Sequence, residues 1–346
     1  MNRKKILGIS ACVFSIALFA VVGTANAATT CTFTTVGTTM NLDADCTTDA
    51  TILVPDGFTL DGKGHTITAV DPAGDHFRGA VVANDGTTAH VKNLTVDTDS
   101  LANVCDGGDD RLRGIMFDGA SGSITHNNVN NINQGASGCQ EGNAIEVRNE
   151  PFDGTHPDTQ TVEIAHNVLS DWQKTGIVAN GDVDVNIHHN DVNESATQVN
   201  LAANSIQLGF GALGVVEYNN VKGNQWCGPS NFVATALLLF LTGDGVNVSF
   251  NNIGGNSDVG IYALNNMTTI STNRVFDDPA IADCNVNGYN IGIGDYDVFT
   301  NLFGGTGADD NSVTRNVVRG FDTPYDGVLG GRNITVPGPQ PSSDAF

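Results

Sequence analysis

The chain has 346 residues, with 38 Asp and Glu against 15 Lys and Arg, for a net charge of −23. A surface this acidic repels a phosphate backbone, which excludes nucleic acid as a partner and disfavours a polyuronate ligand. Charged residues make up only 15% and aromatic residues 7%, beside 41 glycines, so the composition is that of a turn-rich chain cored by Val, Ile, Leu and Ala.

Residues 1–27 read as a secretory signal. Arg3, Lys4 and Lys5 precede an apolar stretch from Ile6 to Val22, and Ala25-Asn26-Ala27 forms an A-x-A cleavage site. Export to a secreted or periplasmic location follows. A lipoprotein reading through Ile9-Ser10-Ala11-Cys12 is weaker, because the apolar stretch before Cys12 is short. Loss of Cys12 with the signal leaves six cysteines, for which disulfides are the default in an exported chain; no C-x-x-C spacing points to metal. Of the fifteen connectivities that six cysteines allow, the coil alignment described below favours Cys31 with Cys46, Cys105 with Cys139 and Cys227 with Cys284. Residues 28–335 are expected to form one domain whose first part, 28–60, caps an otherwise open strand edge. Residues 336–346, rich in Pro and Ser, read as a disordered tail. The apolar run Ala234 to Leu241 is too short to span a bilayer, so the protein is not expected to be transmembrane.

Between these ends the phrase I-x-x-N-x-V recurs, with the Asn at positions 127, 167, 190, 219, 251, 273 and 316. Each occurrence follows a short strand that begins Gly-Ile or its equivalent: Gly114-Ile115, Ala144-Ile145, Gly176-Ile177, Ser205-Ile206, Ala236-Leu237, Gly260-Ile261 and Asn290-Ile291. The stretch Thr175 to Val192 shows one unit whole: three short strands, two tight turns and no helical period. Such a unit cannot bury its apolar side chains alone; stacked copies can, and about nine stacked coils form a parallel β-solenoid. Parallel crossovers favour a right-handed winding. An Asn in the same turn of every coil tolerates left-handed backbone angles and bonds the Asn above it, a structural ladder.

The Asn ladder, the Gly-Ile strand starts and the stretch Leu60 to Ile67 (LDGKGHTI) resemble the right-handed parallel β-helix repeat proteins of the pectin-lyase-like superfamily over roughly Thr51 to Phe321. The resemblance implies an all-β, single-domain right-handed parallel β-helix. It singles out no catalytic family within that superfamily, whose members include lyases, hydrolases, epimerases and tailspikes, and no catalytic residue follows from it.

Insertions cluster between the strand after the Asn turn and the next Gly-Ile strand, at Asn130 to Gly142, Asn193 to Ala203, Lys222 to Ala234 and Phe276 to Gly288; a second set spans Asn149 to Gln160 and Gly294 to Asp310. Both sets are expected to wall a groove over the Gly-Ile sheet, since functional loops ride on rigid scaffolds. With the Ile column inward, Met116, Glu146, Val178, Gln207, Leu238, Tyr262 and Gly292 point outward, and so do Asp118, Arg148, Asn180, Gly209 and Phe240 two residues on. Glu146 and Asp118 would stand about 8 Å apart, a spacing suited to inverting hydrolysis of a glycosidic bond. An ion pair of both acids with Arg148, holding adjacent coils together, is the structural alternative. Elimination would use Lys174 as base. Arg113, Asn180 and Gln207 are candidate substrate contacts, and Leu238, Phe240 and Tyr262 a platform for sugar rings.

His126, His166 and His189 precede the ladder Asn in three successive coils. They have the makings of a transition-metal site, but Tyr218 and Phe250 continue the column, so stacking is the simpler account and no metal ligand is assigned. No cofactor is expected, with calcium at the acidic loop Asp106 to Asp110 as the one exception. Two functions fit: an exported protein that binds, and in an enzymatic version cleaves, an extended polysaccharide as a hydrolase or lyase; or a non-catalytic surface, adhesion or structural protein whose Leu238/Phe240/Tyr262 patch forms a homo-oligomer contact.

Overall fold

A computed structural model describes residues 29–152, 158–195, 201–265, 267–278, 284, 288–296 and 310–336. The signal segment lies outside them, as does the C-terminal tail read from the sequence except Val336, which ends the strand Ile334–Val336. The described chain is a parallel β-helix of three sheets with 10, 11 and 11 strands. The 10-stranded Gly-Ile sheet runs from Ile52–Pro55 to Thr323–Asp326. The pre-ladder sheet carries the Ile of each phrase and the post-ladder sheet the Val, and every pairing is parallel except the N-terminal hairpin Phe33–Val36 with Thr39–Leu42. That hairpin lies on the edge of the pre-ladder sheet through Thr39–Leu42 against Phe58–Asp61, while Cys46–Thr48 and Ile52–Pro55 are the edge strands of the other two sheets at this end.

Register follows the repeat. Ile115, Ile145, Ile177, Ile206, Leu237 and Ile261 stack in line, each fully buried. The next member of the file is Ile293, not the expected Ile291, which pairs with Val259. Ile291-Gly292-Ile293-Gly294 offers two inward isoleucines, so a slip of two residues keeps the apolar face inward and the pattern alone does not choose between them. The tenth rung, Thr323–Asp326, lies just past the Phe321 boundary read from the repeat.

Glycine before the inward Ile has a packing cause. A Cβ on Gly176 would come within 2.6 Å of the Ser205 carbonyl and 3.0 Å of Val192 Cγ1, the Val of the same coil's ladder phrase. The same crowding is found at Gly114 and Gly260, whereas the coils with Ala144, Ser205 and Ala236 take a small side chain at this position.

The Asn column is a continuous buried ladder. Each Nδ2 of Asn127, Asn167, Asn190, Asn219, Asn251 and Asn273 donates to the next Oδ1 at 3.0 Å, and that same Oδ1 accepts the backbone N–H of the preceding Asn. Asn333 extends it by one rung, accepting from Asn316. The phrase search passes over Asn333 because Gly330 stands where the others have Ile or Val. All three disulfides join the cysteines paired by coil alignment: Cys31–Cys46, Cys105–Cys139 and Cys227–Cys284.

Candidate functional site

The outward rows of the Gly-Ile sheet are as the alternation requires, with Met116, Glu146, Val178, Gln207, Leu238 and Tyr262 in one file and Asp118, Arg148, Asn180, Gly209 and Phe240 in the next. Outward, however, is not exposed. The loop containing the short turn Gly108–Asp110 folds over the polar end. Arg113, 2% exposed, donates Nε to Glu146 Oε2 at 2.7 Å and its Nη groups to the carbonyls of Gly108, Asp109 and Arg111. The same Glu146 oxygen takes Asn143 Nδ2 at 2.7 Å, and Glu146 Oε1 lies 3.9 Å from Arg148 Nη1. Arg148, 3% exposed, binds Asp118 Oδ2 at 2.9 Å, Asp109, and Glu150 at 3.2 Å. Burial opposes its charge, but the hydrogen bonds and charges of Asp118, Asp109 and Glu146 outweigh that and hold its pKa above the ordinary arginine value.

This geometry corrects the solvent-facing placement of Glu146, Arg148 and Arg113. An acid that protonates a leaving oxygen must meet it, whereas Glu146 is covered and faces two guanidinium groups and an amide. Asp118 is held to Arg148 rather than across an open cleft from Glu146. The group is a four-acid, two-arginine clamp joining two coils and the loop over them. Of the acidic loop, Asp109 joins this network through Arg148, while Asp106 bonds His76 Nε2 at 2.9 Å outside it.

Lys174 stands apart from the clamp. Half-buried, it donates Nζ to the Ala202 carbonyl at 2.7 Å, and burial lowers its pKa to about 8. Between pH 8 and its ordinary value of 10.5 the folded state binds fewer protons here than the unfolded chain, so this group makes stability rise with pH across that window. Thermal melts of wild type and Lys174→Met from pH 7.5 to 10.5 are expected to show that rise reduced in the variant; parallel curves would contradict it.

The remaining expected contacts lie in the same two files further along the sheet. Asn180 is half-buried, and its Oδ1 has no hydrogen-bond partner among the described residues. Gln207 Oε1 accepts from Asn204 at 3.2 Å. Leu238, Phe240 and Tyr262 are half-buried, and the rings meet others edge-on, Phe240 against Phe210 at 5.5 Å and Tyr262 against Tyr296 at 5.4 Å. Burial raises the Tyr262 hydroxyl pKa.

Three insertions of the first set, those beginning at Asn193, Lys222 and Phe276, line a cavity over the post-ladder sheet, while much of the second set, 153–157 and 297–309, lies outside the described residues. A cavity of about 560 Å³ has as its floor Asn220, Lys222, Gly254 and Phe276, the outward residues of three stacked strands. Its walls come from Glu194, after the preceding strand Asp191–Val192, and from the insertions after the first and third of those strands, through Asn224, Gln225 and the Cys227–Cys284 bridge. An insertion that leaves the post-ladder strand and returns to the Gly-Ile strand stands on the corner between the two sheets, and its anchors decide which way it leans. Here Asp258, 1% exposed, collects the backbone N–H groups of Trp226 at 3.0 Å and Ala234 at 2.8 Å. Asn224 ties the same loop to Ser205 and Thr235 at 2.9 Å each. Periodicity does not report such anchors, though a lone Asp directly before a Gly-Ile strand was visible.

Two details make this cavity chemically specific. The Phe276 ring lies across Gly254, where a Cβ would meet ring carbons at 2.1 Å, and the ring remains 37% exposed. Gln225 gives its carbonyl oxygen to the Cys284 N–H at 2.9 Å, while its buried Nε2 has no partner among the described residues. Lys222 and Glu194 pair at the rim at 3.2 Å. A ring face, side-chain amides and a mixed-sign rim suit a ligand rich in hydroxyl groups.

These observations define the chain as a parallel β-helix protein with a walled cavity on one sheet. No protein-family model matches the chain, and no curated protein matches its sequence. Among solved structures it is similar to the Dettilon tailspike protein (gp208), with a TM-score of 0.45 and 12% identity over 86% of this chain. The match spans 56% of that tailspike chain, and at this similarity it carries no functional argument.

Proposed function

We propose that the protein binds an extended, hydroxyl-rich glycan in the cavity over its post-ladder sheet, as an exported binding protein in which Glu146 and Asp118 serve structure rather than acid–base chemistry. The observation that carries this is the part-exposed Phe276 ring resting on Gly254 in the floor of the cavity. Sugar rings present C–H faces that stack on aromatic rings, and their hydroxyls accept from and donate to amides. Three disulfides fit an oxidising compartment. The net charge of −23 favours neutral over polyuronate glycans.

The test is calorimetric titration against a panel of neutral and acidic oligosaccharides, with reducing ends and unsaturated products followed in parallel. Binding of a neutral glycan without product release is expected, weakened about 10-fold by Phe276→Ala, at the upper end of what one ring contact contributes. Binding of nothing on the panel, or release of cleaved product, would overturn the proposal.

A further inference from the structure

The column before the ladder Asn is a stack of exposed rings. His126, His166, His189, Tyr218 and Phe250 all adopt left-handed backbone angles, φ 54° to 59°, and successive centroids lie 4.8, 5.2, 5.4 and 5.1 Å apart. The column itself is explained by stacking, as its continuation into Tyr and Phe requires. His188 is not. It ends the strand Val183–His188, in a row whose equivalents are Thr125, Ala165, Glu217 and Ser249, and nothing in the repeat calls for an imidazole there. It stands edge-on to His166 at 5.8 Å and to His189 at 5.2 Å, breaking the parallel stack.

Orientation of His188 is fixed from behind. Its Nε2 lies 3.3 Å from Glu163 Oε1, on the neighbouring strand Gln160–Ala165, and its Nδ1 faces His189 Nδ1 at 2.9 Å. With Nε2–H donated to the carboxylate, Nδ1 carries a lone pair directed at a second imidazole nitrogen. A carboxylate behind a histidine whose other nitrogen is presented forward is the arrangement that holds metal ligands. Two nitrogens in adjacent positions around an ion at about 2.1 Å stand about 3 Å apart, the separation seen here. His166 supplies the third nitrogen, and all three lie within 4.8 Å of one another at the surface.

We infer that His166, His188 and His189 form a binding site for a divalent first-row transition metal, with Glu163 as the positioning residue behind His188. Imidazole donors select copper, nickel or zinc over calcium and magnesium, and three protein ligands leave positions for water. The strongly negative chain draws cations to its surface. The site lies at the turn between the pre-ladder and post-ladder sheets and shares no residue with the glycan cavity, so the two stand or fall separately. The other cluster of ligand-type atoms, Cys105, Cys139 and Glu141, is closed by its disulfide.

Titration of the tag-free chain with copper(II) chloride and zinc chloride tests the site. One ion per chain is expected, with nitrogen hyperfine structure from bound copper(II) and a raised melting temperature. His188→Gln and His166→Gln are each expected to weaken binding about 100-fold and Glu163→Gln about 10-fold. His90→Gln, whose Nδ1 bonds Ser123 at 2.9 Å elsewhere on the pre-ladder sheet, is expected to change nothing. Circular dichroism confirms that each variant is folded. Equal binding by wild type and His188→Gln, equal loss in His90→Gln, or no ion held below about 100 µM would each overturn the assignment.

Discussion

Arg148→Met is expected to lower the unfolding free energy by about 3–5 kcal/mol, the range for breaking a buried ion pair by removing one partner. Arg148 is the shared cation of Asp118, Asp109, Glu146 and Glu150, and its loss leaves Glu146, 4% exposed, with Arg113 and Asn143 alone. It also frees the loop that covers this end of the sheet. Urea unfolding gives the comparison, and Glu146→Gln belongs in the same series. A catalytic acid is commonly a strained, destabilising group, so its replacement leaves a fold unchanged or more stable. A clamp residue behaves oppositely, and Glu146→Gln is expected to destabilise. Arg148→Met within 1 kcal/mol of wild type would remove the clamp from the account.

Asn190→Ala is expected to cost about 4 kcal/mol, from two buried backbone groups left unpaired at about 1–3 kcal/mol each together with the severed amide chain. Asn190 Nδ2 donates to Asn219 Oδ1 and the Ile164 carbonyl, and its Oδ1 accepts both N–H and Nδ2 of Asn167. Position within the ladder sets the size. Asn333→Ala, at the terminal rung, is expected to cost less, since Asn333 lies partly exposed and, though it accepts the Asn316 pair at 3.1 and 3.3 Å and donates to the Val313 carbonyl at 2.9 Å, it passes its amide to no further Asn among the described residues. Hydrogen exchange at the Asn167 amide locates the effect. Equal losses at both positions would show that the ladder does not act as a chain of paired amides.

The contrast between Asn190 and Glu146 shows what a solenoid sequence makes legible. Side chains that repeat once per coil line up vertically whatever the loops do, so the ladder, the inward isoleucines and the disulfide partners followed from alignment alone. Loop direction has no such period. The segment over Arg113 and Arg148 hides residues that alternation places outward, and the insertion tied down by Asp258 moves the cavity onto the neighbouring sheet. Degenerate pattern accounts for Ile291, since Ile-Gly-Ile-Gly satisfies the inward file in two registers. His188 was missed because it lies beside the ring column, and its meaning depends on Glu163 from the strand below.

The placement of the ligand is tested most directly by measuring affinity for the best glycan of the panel in Phe276→Ala and Tyr262→Ala side by side. The two aromatics lie on different sheets, Phe276 on the post-ladder sheet and Tyr262 on the Gly-Ile sheet. A loss of about 10-fold in Phe276→Ala with Tyr262→Ala unchanged is the predicted result. Loss confined to Tyr262→Ala would return the ligand to the Gly-Ile groove and contradict the account.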